Sequence, residues 1–345
     1  MIDWAIATRV AATVAGSPPA GPPLAGDLGA VARRSAELVV DYTRLQPTAP
    51  LPPPEAVDRE EWVAANLTTL RSTLAPVVMR MGPGGFGPLA GPARAAGGVL
   101  LGAEIGVLTG YLGQRVLGQY ELSLLDPQPA PRLLFVAPNI RQAARHLGAQ
   151  EEELLTWIAF HEVTHAVQFG AVAWLREHIA GLLRELLSSL DVNVQPGALL
   201  RLPTLDDLRG LIDAVRSGGL VAAVTGPERR AILDRLQAVM AMVEGHAEHV
   251  MDAVGVDELP SLERLRARLD QRRRERPPIV RLIEWLLGLE LKLRQYDVGR
   301  RFCDAVVGAA GIGGLNRAWE APELLPTTAE LANPDSWLAR TRAAA

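Results

Sequence analysis

The chain has 345 residues, of which 48% are hydrophobic and 21% charged, and its formal net charge is −4. That composition supports a sizeable core and excludes a disordered chain. The acidic balance argues against nucleic-acid binding, which needs a basic face.

Residues 1–30 combine an apolar start with two Pro-rich breaks, expected as a short helix or strand and a loop. A helix is expected from about Asp27 to Arg44. Gln46 to Pro54 holds five prolines and is expected as a stiff surface loop. Glu55 to Met81 shows helical spacing at Trp62, Leu67, Leu70 and Leu74. Gly82 to Pro92 is a Gly/Pro loop without the Lys-Ser/Thr ending of a phosphate-cradling loop.

Gly98, Gly102, Gly106 and Gly110 recur every fourth residue and line one helix face. Each costs about 1 kcal/mol against alanine in a helix, so the stripe predicts another backbone packed closely against it. Val99 to Leu117 is the most membrane-like stretch. Its uncharged run is too short to span a bilayer, so no membrane span is expected. The N-terminus lacks the basic and apolar regions of a signal peptide.

Gln119 to Leu125 and Leu133 to Val136, joined by a Pro-rich turn, predict a β-hairpin. The remainder reads as helical. One helix should start near Glu151-Glu152-Glu153, where acids suit the dipole, and run past Trp174. Others are expected at Leu182–Leu190, Leu205–Val215, Pro227–Val254, Ser261–Arg276 and Ile279–Val307. The fold class is therefore α+β, predominantly α-helical, with a small antiparallel hairpin. At roughly 100–200 residues per domain, the chain is divided into an N-terminal helix and Pro-rich loop over 1–54 and a main domain over 55–345.

Phe160-His161-Glu162-Val163-Thr164-His165 carries the chemistry. On a helix, His161 and His165 leave one face a turn apart and can both reach one zinc ion at about 2.0–2.1 Å. Glu162 then lies beside the ion as a general base for water. The surrounding residues Trp157, Ile158, Phe160, Val163, Ala166 and Val167 are apolar. Two unpaired imidazoles there would be costly without a ligand. The chain has one cysteine, Cys303, so it can form neither an intrachain disulfide nor a Cys-rich zinc site. A lone thiol fits a reducing cytoplasm.

Catalytic zinc takes three protein ligands and keeps one position open. Gln168 and Ala171 stand where a metzincin would have Gly and its third His, which excludes that subclass. The next acid/His cluster is Glu244-Gly245-His246-Ala247-Glu248-His249, followed by Asp252. Glu244, Glu248 and Asp252 share a helix face. Glu244 is the favoured third ligand, because Gly245 beside it lets another helix come close. Glu248 is the alternative ligand, and Asp252 a candidate to orient a histidine. His246, Tyr296 and Arg294 are candidates to stabilise an oxyanion.

Several segments together resemble a known family. They are Leu117-Gly118-Gln119-Tyr120, Arg132 to Asn139, the HExxH helix, Glu244 to His249, Lys292 to Tyr296 and Leu315 to Pro326. The chain resembles the DUF2342 group of zincin-like hydrolases, found in actinobacteria and Chloroflexus-type bacteria. Some models of that group carry the label "coenzyme F420 biosynthesis associated". The resemblance covers about residues 55–340. It implies a zincin-like fold and a zinc-dependent metalloprotease whose peptide or protein substrate is not established. His161, Glu162 and His165 carry over as ligands and base, with Glu244 as third ligand. The label implies no deazaflavin site, since none of these residues suggests one.

Overall fold

The computed structural model describes residues 2–18, 21–80, 90–126, 129–189, 227–274 and 289–343. The expected helix at Leu205–Val215 lies outside the described residues. In chain order the elements are α1 (Trp4–Ala15), α2 (Leu28–Thr43), β1 (Pro54–Val57), α3 (Arg59–Arg80), α4 (Ala90–Gly113), β2 (Gly118–Glu121) and β3 (Arg132–Val136). After these come α5 (Ala137–Leu147), α6 (Glu151–Ala171), α7 (Leu175–Ser189), α8 (Pro227–Glu258), α9 (Leu262–Arg274) and α10 (Leu289–Asn316). Two short 3-10 turns (Arg317–Trp319 and Pro322–Leu324), α11 (Thr328–Leu331) and α12 (Pro334–Ala343) finish the chain.

The hairpin is present: β2 runs antiparallel to β3, with Gln119 opposite Leu134. A third strand was not anticipated. Residues 54–57, expected as the end of a loop and the start of a helix, form β1 and pair in parallel with β3, Pro54 opposite Leu133. Four residues carry no periodicity of their own, and the parallel partner lies far along the chain. Helix α3 begins only after a reciprocal cap, in which Asp58 accepts from the Glu61 N–H and Glu61 from the Asp58 N–H, each at 2.8 Å.

The strand order β1-β3-β2 puts β3 in the centre, where Leu133, Leu134, Phe135 and Val136 are all buried. Their alternation feeds two cores. Leu133 and Phe135 pack with Val39, Ile140, Leu155, Phe160 and Val250. Leu134 and Val136 pack with Ala7, Ala11, Trp62 and Val63. Position 54/55 thus falls inside β1, and α1 and α2 contribute to the same cores as the later elements. A third cluster joins α7, α8, α10 and the C-terminal turns through Leu175, Met242, Phe302, Trp319 and Trp337.

The glycine stripe of α4 is a packing seam. A Cβ at Gly102, Gly106 or Gly110 would clash with the backbone oxygen of Asp3, which caps α1, or of Ala7 or Ala11 within it. Among the described residues, no helix is long and apolar enough to cross a membrane. Helix α6 is buried nearly all round, from Leu154 to Gln168, because α2, α5, α8 and the sheet enclose it. It ends at Ala171, short of the expected Trp174. The chain turns there, and the Trp174 indole N–H donates to the Trp319 carbonyl. Helix α8 crosses α10 at two glycines: a Cβ at Gly245 would stand 2.2 Å from the Gly299 carbonyl carbon, and one at Gly299 2.0 Å from the Ala241 oxygen. Glu244 is the residue next to Gly245 at this crossing.

Candidate metal centre

One turn of α6 separates His161 from His165, and their Nε2 atoms lie 3.2 Å apart. The Glu244 Oε2 of α8 stands 3.6 Å from the first and 3.5 Å from the second. The three atoms form a nearly equilateral triangle. A tetrahedron of ligands at about 2.0–2.1 Å from zinc has edges of about 3.3 Å, so these three donors would fit a small ion. Two imidazole nitrogens and a carboxylate oxygen suit zinc, and so do these spacings. Among the described residues this is the cluster of His and acid side chains able to hold a metal.

The electrostatics favour a cation. Burial opposes charge on His161, but its contact with Glu244 and the neighbouring Glu162 prevail and raise its pKa to about 9. Burial works against ionising Glu244 too, yet the two imidazoles hold its carboxyl well below the usual carboxylate range. A divalent ion answers the same field.

Glu162 faces β2. Its Oε2 accepts the Tyr120 backbone N–H at 2.8 Å, so the edge strand orients the carboxylate and leaves Oε1 for other partners. Gly118 makes this approach possible: a Cβ there would stand 2.7 Å from Glu162 Cγ and 2.8 Å from Ile158 Cγ2. In the sequence Gly118 stands out only as a resemblance marker, and Tyr120 as a marker and a residue of the expected hairpin; neither points to Glu162. The strand-edge amide beside a helix carboxylate is a tertiary contact with no local signal.

A family model described as zincin-like metallopeptidase matches residues 2–338. This chain belongs to that family. The zincin-like chain is also similar to a solved crystal structure from Chloroflexus aurantiacus, described as a candidate hydrolase with a novel fold. The two are 34% identical, the match covers 99% of each chain, and the TM-score is 0.72. Curated proteins gave no match.

The other predicted residues of the zincin-like chain are distributed around this centre. Glu248, a turn beyond Glu244, is outside the three-ligand cluster, but its charge reaches His161. His246 is fully buried on the far side of His165. Gln168 links them: its carboxamide lies 3.1 Å from His165 Nδ1 through Oε1, and 2.9 Å from His246 Nδ1 through Nε2. Burial first, then His249 and His165, lower the His246 pKa to about 3, so its ring is neutral. His249 turns away to Asp304 and Tyr42, each at 2.7 Å. Asp252 pairs with Arg266 and Arg300 rather than with a ligand histidine, and burial raises its pKa to about 6. Tyr296 and Arg294 belong to α10, but their side chains lie outside the described residues. Gln168 was read only as a departure from the metzincin pattern. Its position three residues after the second histidine was the available signal, since that spacing returns to the same helix face.

Proposed function

We propose that this chain is a zinc-dependent metallopeptidase that cleaves a peptide or related amide bond, with Glu162 as general base. The triangle of 3.2, 3.5 and 3.6 Å formed by His161, His165 and Glu244 beside the anchored Glu162 carries this reading. The family supports a hydrolase, as does the description of the Chloroflexus aurantiacus protein. Zinc, when bound, supplies Lewis acidity that polarises a carbonyl oxygen and acidifies a water.

The protein's own residues do the rest. Tyr120 N–H holds the Glu162 carboxylate, which takes the proton from the attacking water. The same carboxyl then returns the proton to the departing amine. The apolar packing of Ile158, Phe160 and Val163 limits bulk water around the base and strengthens each charge interaction there. The substrate is a peptide or protein, and the working compartment a reducing cytoplasm, in keeping with the single buried thiol Cys303.

Metal content by mass spectrometry on untagged protein tests the reading. About one zinc per chain is expected from a three-ligand site, lost in His161→Ala. Glu162→Gln should keep the zinc and lose hydrolysis of a peptide library. No metal in the wild type after zinc is offered overturns the proposal. Zinc without hydrolysis in the wild type favours a metal-binding scaffold with lost or restricted activity.

A further inference from the structure

Gln168 and His246 are buried polar groups that no step of the proposed reaction uses. Gln168 has one acceptor oxygen and two N–H donors, and its surroundings fix which is which. The Val243 carbonyl can only accept, and it lies 3.2 Å from Gln168 Nε2. Oε1 therefore faces His165 Nδ1, at 3.1 Å, and that nitrogen must carry the proton. A ring protonated at Nδ1 presents its lone pair at Nε2, the atom that faces His161 and Glu244.

The second N–H of Gln168 points at His246 Nδ1, at 2.9 Å, so that nitrogen is the acceptor and the His246 proton sits on Nε2. His246 Nε2 is buried and has no hydrogen-bond partner. Its ring stands perpendicular to Trp319, with centroids 5.3 Å apart. A residue serving only to fill this space would be apolar, because an unpartnered buried N–H is unfavourable. What the histidine adds is an acceptor for Gln168. The Val243 carbonyl also ties the amide to the residue before Glu244, so one side chain links both ligand-bearing helices.

We propose that Gln168 is a positioning residue, held by His246 and Val243, that fixes the tautomer of His165 and with it the nitrogen offered to the metal. This rests on the zinc reading above. Partners of this kind commonly change metal affinity 10–100-fold. His246 then acts through Gln168 and not on the substrate.

The test measures zinc affinity by chelator competition for the wild type, Gln168→Met and Gln168→Glu, with two-bond proton–nitrogen spectra of the histidine rings. Methionine matches the volume and offers no hydrogen bond of similar strength, so zinc should bind about 10–100-fold more weakly. Glutamate still accepts from His165 and should restore affinity. It cannot donate, so His246 should change from the Nε2–H to the Nδ1–H form, a signature that mere packing would not give. Equal affinity in all three proteins overturns the relay and leaves the zinc site standing. So does a wild-type spectrum with His246 protonated on Nδ1 or His165 on Nε2. If Gln168→Met fails to fold, the wild-type spectra and Gln168→Glu decide alone. A wild type that takes no zinc overturns both readings.

Discussion

Helices α6 and α8 each carry paired histidines and acids in an apolar stretch, and they use them in opposite ways. On α6, His161 and His165 converge on one spot, and Glu162 beside them turns to the Tyr120 amide. On α8 the polar residues disperse: Glu244 goes to the histidines, His246 to Gln168, His249 to Tyr42 and Asp304, and Asp252 to two arginines. The i, i+4 spacing aims two side chains at one point through backbone geometry alone. On α8 the destination of each residue depends on which helix packs against it. A residue on α6 should therefore matter through chemistry, and most residues on α8 through the architecture that delivers Glu244.

The largest expected effect tests the convergent side. Glu162→Gln should reduce hydrolysis by about 10²–10⁴-fold while zinc content stays at wild-type level. Unchanged turnover would remove Glu162 from the role of base. Next is Gly118→Ala, which inserts a methyl group 2.7 Å from Glu162 Cγ. A displacement of that size should lower kcat about 10²-fold without loss of zinc, and normal kcat would show that the strand does not hold the base.

On the dispersing side, Gly299→Ala pushes α10 off α8, since the new Cβ meets the Ala241 oxygen at 2.0 Å. We expect a loss of about 1–3 kcal/mol in denaturant unfolding, with weaker zinc binding as Glu244 shifts. Stable protein with unchanged zinc affinity would separate the crossing from the site. Tyr42→Phe removes only a hydrogen bond to His249 and should cost about 1 kcal/mol, leaving zinc affinity intact.

The smallest effect concerns acid. Burial raises the Asp304 pKa, but the hydrogen bond and charge of His249, with the charges of Arg300 and Arg266, outweigh it, so the folded-state pKa lies below the ordinary aspartate value. A carboxylate with a depressed pKa stabilises the fold above its unfolded pKa, and that contribution is lost as pH falls through the folded one. Thermal melts from pH 7 downward should show Asp304→Asn with a shallower loss than the wild type. Parallel curves would show that the pair contributes nothing.

Much of the architecture was legible because it is local. Helices are expected where α2 and α8 stand, and Asp27 caps the first. Proline and alternation marked the hairpin. The glycine stripe announced a close backbone contact, which α1 supplies. Strand β1 was not legible, because a four-residue parallel pairing across the chain has no period to read. The end of α6 was missed for a similar reason: the turn after Ala171 serves a contact with Trp319, 145 residues away.

At the site, sequence alone determined that His161 and His165 share a face with Glu162 beside them, since helix geometry permits little else. It also marked Gly245 as a close-approach position next to Glu244. Only the tertiary structure decided that Glu244 reaches the two nitrogens, that the Tyr120 amide holds Glu162, and that Gln168 joins His165 to His246. Each of those contacts spans elements brought together by packing, and the pattern along a single helix carries no information about what its neighbour presents.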